Sequence, residues 1–86
     1  MTQLFVIISR DINEEVNYAV CEDFDDACAM QLGMLVGVSL EDAKPHLREE
    51  DTKIIKNNLE KYGQDRLAND EIEVFIFFIT GKEKMR

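Results

Sequence analysis

The chain has 86 residues, 45% of them apolar and 33% charged, with four Gly, one Pro and a net charge of −8 from 18 acidic and 10 basic side chains. That length holds one domain and no second, and the composition excludes a disordered, low-complexity or collagen-like chain. A domain of this size buries only about 60% of the surface its unfolded chain exposes, so a partner surface adds much to its stability.

Gln3 to Ser9 (QLFVIIS) is rich in β-branched and aromatic residues and predicts a strand. Arg10 to Glu14 brings turn-forming Asp11 and Asn13, and Val16, Tyr18 and Val20 then alternate with Asn17, Ala19 and Cys21 as a second strand. The two make a β-hairpin with a loop of about five residues. Asp23 is a good N-cap, and a helix is expected from Phe24 to Val36, ended by Gly37. Phe24, Ala27, Cys28, Gln31, Met34 and Leu35 share one face of it. Ala29, Met30, Leu32 and Val36 spread apolar character round the rest, the pattern of a helix buried on more than one side. A single short chain has little with which to cover such a helix.

Ser39 with Asp42 forms a capping box that opens a short helix at Leu40. Pro45 either kinks that helix or starts a new one, since it has no N–H to give. Leu47, Ile54, Ile55, Leu59 and Tyr62 then form an amphipathic stripe as far as Gly63, a C-cap, with Glu49 and Lys53 at the favourable i, i+4 spacing. Gln64 to Asp70 reads as a loop with a helical turn near Leu67. Glu71 to Thr80 (EIEVFIFFIT) is the strongest strand signal, apolar on both faces from Phe75 to Ile79 as a central strand covered on both sides is. Lys82 to Arg86 is a polar tail.

The expected fold is α+β in the order β-β-α-α-β, a single compact domain over residues 1–86. Its sheet is three-stranded and mainly antiparallel, with the last strand central beside the first and the helices packed on it. If both helices cover one face, Phe5, Ile7, Phe75, Phe77 and Ile79 are expected together on the other, uncovered. If the helices divide, both faces are covered. On the first arrangement Met30, Phe75, Phe77 and Ile79 are the candidates for self-association, giving a homodimer or larger assembly.

No catalytic constellation is visible. Cys21 and Cys28 are not a C-x-x-C pair and are too few for a disulfide framework, so they read as small core hydrophobes. His46 is the only histidine and has no zinc-ligand spacing around it. Gly33 and Gly37 are not followed by G-K-[ST], Ser9 and Ser39 lack a G-x-S-x-G setting, and the acids fit no calcium loop. No metal and no cofactor is expected, and no enzyme. The longest apolar run, Val74 to Ile79, is far short of the roughly 20 residues of a membrane helix. The first residues lack the basic start and cleavage pattern of a secretory signal, so the expected location is the cytoplasm.

The charge is unevenly placed. Residues 1–43 carry nine acids against one base, Arg10, while residues 44–86 carry nine of each. Asp11, Glu14 and Glu15 crowd the hairpin loop, and Glu22, Asp23, Asp25 and Asp26 crowd the start of the first helix. The helix dipole explains the last three individually, but not an acidic loop beside them. A one-signed field draws cationic partners, so these seven acids are the candidate contact with a larger protein that has a basic surface. Arg48, Lys53, Lys56 and Lys61 are scattered among acids, so direct nucleic-acid binding is not expected. In size, charge and lack of catalytic residues the chain resembles inhibitors encoded by phages and mobile elements, such as anti-CRISPR and anti-restriction proteins. That likeness implies an inhibitor or modulator of a nucleic-acid-handling protein. The alternative is a homo-oligomeric structural or adaptor domain whose acids only keep it in solution.

Overall fold

The computed structural model describes residues 3–80, without the side chain of Thr80. β1 (Gln3–Asp11) and β2 (Val16–Cys21) form the expected hairpin. Asp11 closes its turn: the carboxylate accepts the backbone N–H groups of Asn13 and Glu15, each at 2.9 Å, and the carbonyl accepts that of Glu14. Glu14 takes the left-handed position that such a loop requires, at φ 64°. α1 (Phe24–Val36) begins where predicted, with the Asp23 carboxylate accepting the Asp26 N–H at 3.0 Å. It stops at Gly37, whose φ of 82° only glycine adopts without strain.

Ser39 caps α2 (Leu40–Ala43), and Pro45 falls in a 3₁₀ turn, Lys44–His46, that separates α2 from α3 (Glu49–Tyr62). Gly63 then ends α3 in the same left-handed way as Gly37 ends α1. The next segment departs from expectation. Gln64–Ala68 is a strand, β3, and no helical turn forms near Leu67. It pairs antiparallel with β4 (Ile72–Thr80), Asp65 opposite Ile76 and Leu67 opposite Val74. Little in QDRLA favours a strand, so the open edge of β4 supplies the pairing that propensity does not. The sheet therefore has four strands, not three, in the order β2-β1-β4-β3, antiparallel throughout. β4 lies in the middle beside β1, as its two-sided apolar character predicted, but the helices cover only its Val74 and Ile76 face and not both faces as expected.

The helices lie on one face. Ala27 and Cys28 of α1 and Ile55 and Leu59 of α3 pack with Phe5, Ile7, Val74 and Ile76 into a single core. Phe5 meets Phe24 and Phe78 with ring centroids 5.7 and 5.6 Å apart. α2 packs against α1 rather than on the sheet. This arrangement also explains the apolar girth of α1 at Ala29 and Met30, though Val36 at its end stays exposed. Gly33 is so close to the turn after the helix that a methyl there would sit 2.7 Å from the Val38 carbonyl oxygen, with the Ala43 side chain beyond. Ala29, one turn earlier on the same side, is fully buried, and Met30 is packed against the core. α1 is thus covered on two sides within one chain, by the sheet and by α2.

The expected grouping of the apolar strand residues needs a correction. The register pairs Val6 with Phe77 and Ile8 with Phe75, so odd positions of β1 share a face with even positions of β4. Phe5 and Ile7 therefore lie under the helices, and only Phe75, Phe77 and Ile79 of the expected group are on the other face. No helix among the described residues is long and apolar enough to cross a membrane. The predicted tail, 82–86, lies outside the described residues.

Candidate protein-binding surface

The face of the sheet away from the helices can be read as rows across the strands, because directly paired residues point the same way. From β2 to β3, one row holds Val16, Arg10, Glu73 and Ala68, and the next Tyr18, Ile8, Phe75 and, beside them, Arg66. A third holds Val20, Val6, Phe77 and Gln64, and Leu4 with Ile79 ends the grid. Phe75 and Phe77 stack at 5.9 Å. No element of residues 3–80 covers this face. Val16, Tyr18 and Val20 on the edge strand remain 57%, 72% and 55% exposed. Contiguous apolar surfaces of a few hundred Å² are often functional, which makes this face the candidate binding surface.

Of the residues expected to self-associate, Phe75, Phe77 and Ile79 are on this face. Met30 is on the opposite side of the sheet and contributes to the core instead. Sequence reasoning missed Leu4, Val6, Ile8, Val16, Tyr18 and Val20. The alternation of the last three was visible, but only the register places them beside Phe75 and Phe77.

Among the described residues, the charges on the face are two bases, Arg10 and Arg66, and one acid, Glu73, which pairs with both. Arg10 Nη2 lies 2.7 Å from Glu73 Oε2, and Arg66 Nη2 lies 3.1 Å from Glu73 Oε1. Hydrogen bonds from Arg66 and Arg10, with their positive charge, hold the Glu73 carboxyl below its ordinary range against the opposing pull of desolvation.

The seven candidate acids do not form one surface. Asp11, Glu14 and Glu15 sit at the hairpin tip, and Glu22, Asp23, Asp25 and Asp26 sit past the far end of β2, roughly 17 Å of strand away at about 3.4 Å per residue. Three of them have structural partners: Asp11 closes the turn, Asp23 caps α1, and Asp26 Oδ1 meets Lys44 Nζ at 2.8 Å. Glu14, Glu15, Glu22 and Asp25 are exposed. At the tip, however, the fold adds acids from the balanced half of the sequence. The Ile12 N–H donates to the Glu71 carbonyl at 2.9 Å, which brings the β3–β4 turn with Asp70 and Glu71 beside the hairpin. Both of these acids are exposed.

A polar tie lies on the helix side. Gln31 Nε2 donates to Asp65 Oδ2 at 3.0 Å and to the Val74 carbonyl at 3.2 Å, and Asn58 Nδ2 donates to the other Asp65 oxygen at 2.6 Å. The group borders a cleft of about 380 Å³ between α1 and α3, lined in part by Leu32, Leu35, Leu47 and Ile54. The amide donors are directed at Asp65 and Val74 rather than into the opening, so the tie joins β3 to both helices. Among the described residues, no group of three or more His, Cys, Asp or Glu is arranged to hold a metal ion.

Both cysteines are free thiols, Cys28 buried and Cys21 half-buried. Burial, with the nearby carboxylates Asp25, Asp65 and Asp23, pushes the Cys28 thiol from 9.0 up to about 12. Burial, with Asp26 and Asp23, raises Cys21 as well. Since the thiolate is the reactive form, Cys28 is expected to resist a disulfide reagent at neutral pH until the chain unfolds. Its neutral form stabilises the fold fully below about pH 9, and that contribution is lost as pH rises toward about 12. Fast labelling of Cys28 in the folded protein at pH 7.5 contradicts this.

Compared with protein-family models, with curated proteins and with solved structures, the chain matches none.

Proposed function

We propose that the chain is a non-catalytic protein-binding module that inhibits or modulates a larger protein with a basic surface. The observation that carries the binding role is the uncovered apolar sheet face, since contiguous exposed apolar patches of a few hundred Å² are often functional. The acidic tip supports the sign of the target: Glu14, Glu15, Asp70 and Glu71 are exposed together where two turns meet. The acids at the start of α1 contribute less, because Asp23 and Asp26 are engaged within the fold.

Single exposed charge pairs are worth about 0–1 kcal/mol, so only a group of substitutions will register. The test is the variant Glu14→Lys with Glu15→Lys and Glu71→Lys, compared with Glu22→Lys plus Asp25→Lys at the other end. Proteins captured from a host lysate at graded salt are identified by mass spectrometry, and association with the recovered target is timed. The tip variant is expected to associate about tenfold more slowly at low salt and to lose most of its salt dependence. The far-end variant should change little. Equal capture by all three proteins at every salt concentration overturns the basic-target reading.

A further inference from the structure

We infer that the uncovered sheet face is closed by a second copy of this chain, packed face to face about a two-fold axis that runs across the strands. The inference rests on reading this face as a binding surface, and it goes further by naming the occupant and the geometry.

Charge selects the occupant. The chain carries −8, yet among the described residues this face bears one acid, Glu73, clamped between two bases, Arg10 and Arg66. Two such faces meet without acids opposing one another. A basic protein finds no acids on the face beyond a carboxylate already doubly engaged. An anionic membrane is repelled by the acids of the neighbouring tip, Glu14, Glu15, Asp70 and Glu71.

Area is sufficient. Strands about 4.8 Å apart with a rise of about 3.4 Å per residue give this sheet a flat footprint of roughly 500 Å². Two copies lose about 1,000 Å² before the pleat is counted, which is where specific interfaces begin. Twisted sheets also stack readily, about 10 Å apart and within about 30° of alignment.

The axis follows from the rows. In a symmetric dimer each copy offers the same patch. An axis along the strands lays the apolar β2 edge of one copy on the polar β3 edge of the other, Tyr18 toward Arg66, and brings both acidic tips to one end. An axis across the strands lays β2 on β2 and β3 on β3 with the rows reversed. Phe75 then lies over the partner's Phe77 and Tyr18 over the partner's Val20, while Arg66 faces the partner's Gln64. The charged row of Arg10 and Glu73 falls at the rim, where the long arginine side chains reach water. The two acidic tips point to opposite ends of the dimer, each free for a target.

Sedimentation equilibrium of the full chain between roughly 1 µM and roughly 500 µM tests this, a range that brackets the dissociation constants of such interfaces. Tyr18→Lys and Phe77→Lys put a charge into the face, and Ile54→Lys charges an exposed apolar site on α3 away from it. Circular dichroism and thermal melting establish which variants fold; Tyr18 is so exposed on an edge strand that Tyr18→Lys is expected to do so. The wild type and Ile54→Lys should be dimers. Tyr18→Lys should raise the dissociation constant by at least about 30-fold, since symmetry repeats the substitution at two contacts. A wild type that stays monomeric throughout overturns the second copy, and so does a dimer unmoved by the folded face variants. If the wild type is monomeric and the face variants lose a different captured protein, the second copy is overturned while the binding reading stands.

Discussion

Truncating Ile76 to alanine is expected to cost about 4 kcal/mol, toward the upper part of the range for removing a large buried aliphatic side chain. Ile76 is fully buried at the middle of β4, opposite Ile7 on β1 and Asp65 on β3. It belongs to the core that Ile55 and Leu59 of α3 and Ala27 and Cys28 of α1 also build. The loss combines the transfer energy of the removed methyl and methylene groups with a cavity that two rigid central strands cannot collapse to fill. A domain of this length has a total stability of about 4 to 13 kcal/mol, so the loss removes between about a third and all of it. Urea denaturation of wild type and variant measures the difference from the midpoints at equal slope. A cost below about 1 kcal/mol contradicts the placement of Ile76 in the core, since that is what an ordinary surface substitution gives.

Gln31→Leu is expected to cost about 3 kcal/mol, although it places an apolar side chain of similar volume in an apolar helix. Gln31 is buried, and its amide is the donor to Asp65 Oδ2 and to the Val74 carbonyl. Asn58 still serves the other carboxylate oxygen, so leucine leaves a buried acid half-satisfied. An unpaired polar atom out of water costs far more than the net worth of the bond it lost. The control is Asp65→Leu combined with Gln31→Leu. Removing both partners should cost less than the sum of the single changes by about 1 to 2 kcal/mol, the coupling expected of residues in direct contact. Additive losses in urea denaturation contradict the tie.

The caps were legible because they depend on residues three or four apart: Asp23 with the Asp26 N–H, Ser39 with the Asp42 N–H, and Gly37 and Gly63 past the last turns of α1 and α3. The hairpin of β1 and β2 was equally local, and the apolar run from Phe75 to Ile79 already implied a central strand.

The side of the sheet that stays bare was not legible. Leu4 to Ile8 is apolar at every position, so alternation does not say which residues face the helices; only the pairing of Val6 with Phe77, more than 70 residues apart, does. β3 was hidden for a similar reason. Its residues have weak strand preference, and they are extended because β4 offers an edge and because Gln31 and Asn58 hold Asp65. The acids that looked like one cluster were separated by the length of β2, while Asp70 and Glu71, distant in sequence, were brought to the hairpin by one backbone hydrogen bond. Capping and periodicity act within a few residues and are written locally. Register, strand partners and the grouping of charges depend on contacts between distant segments, and only the folded chain makes them.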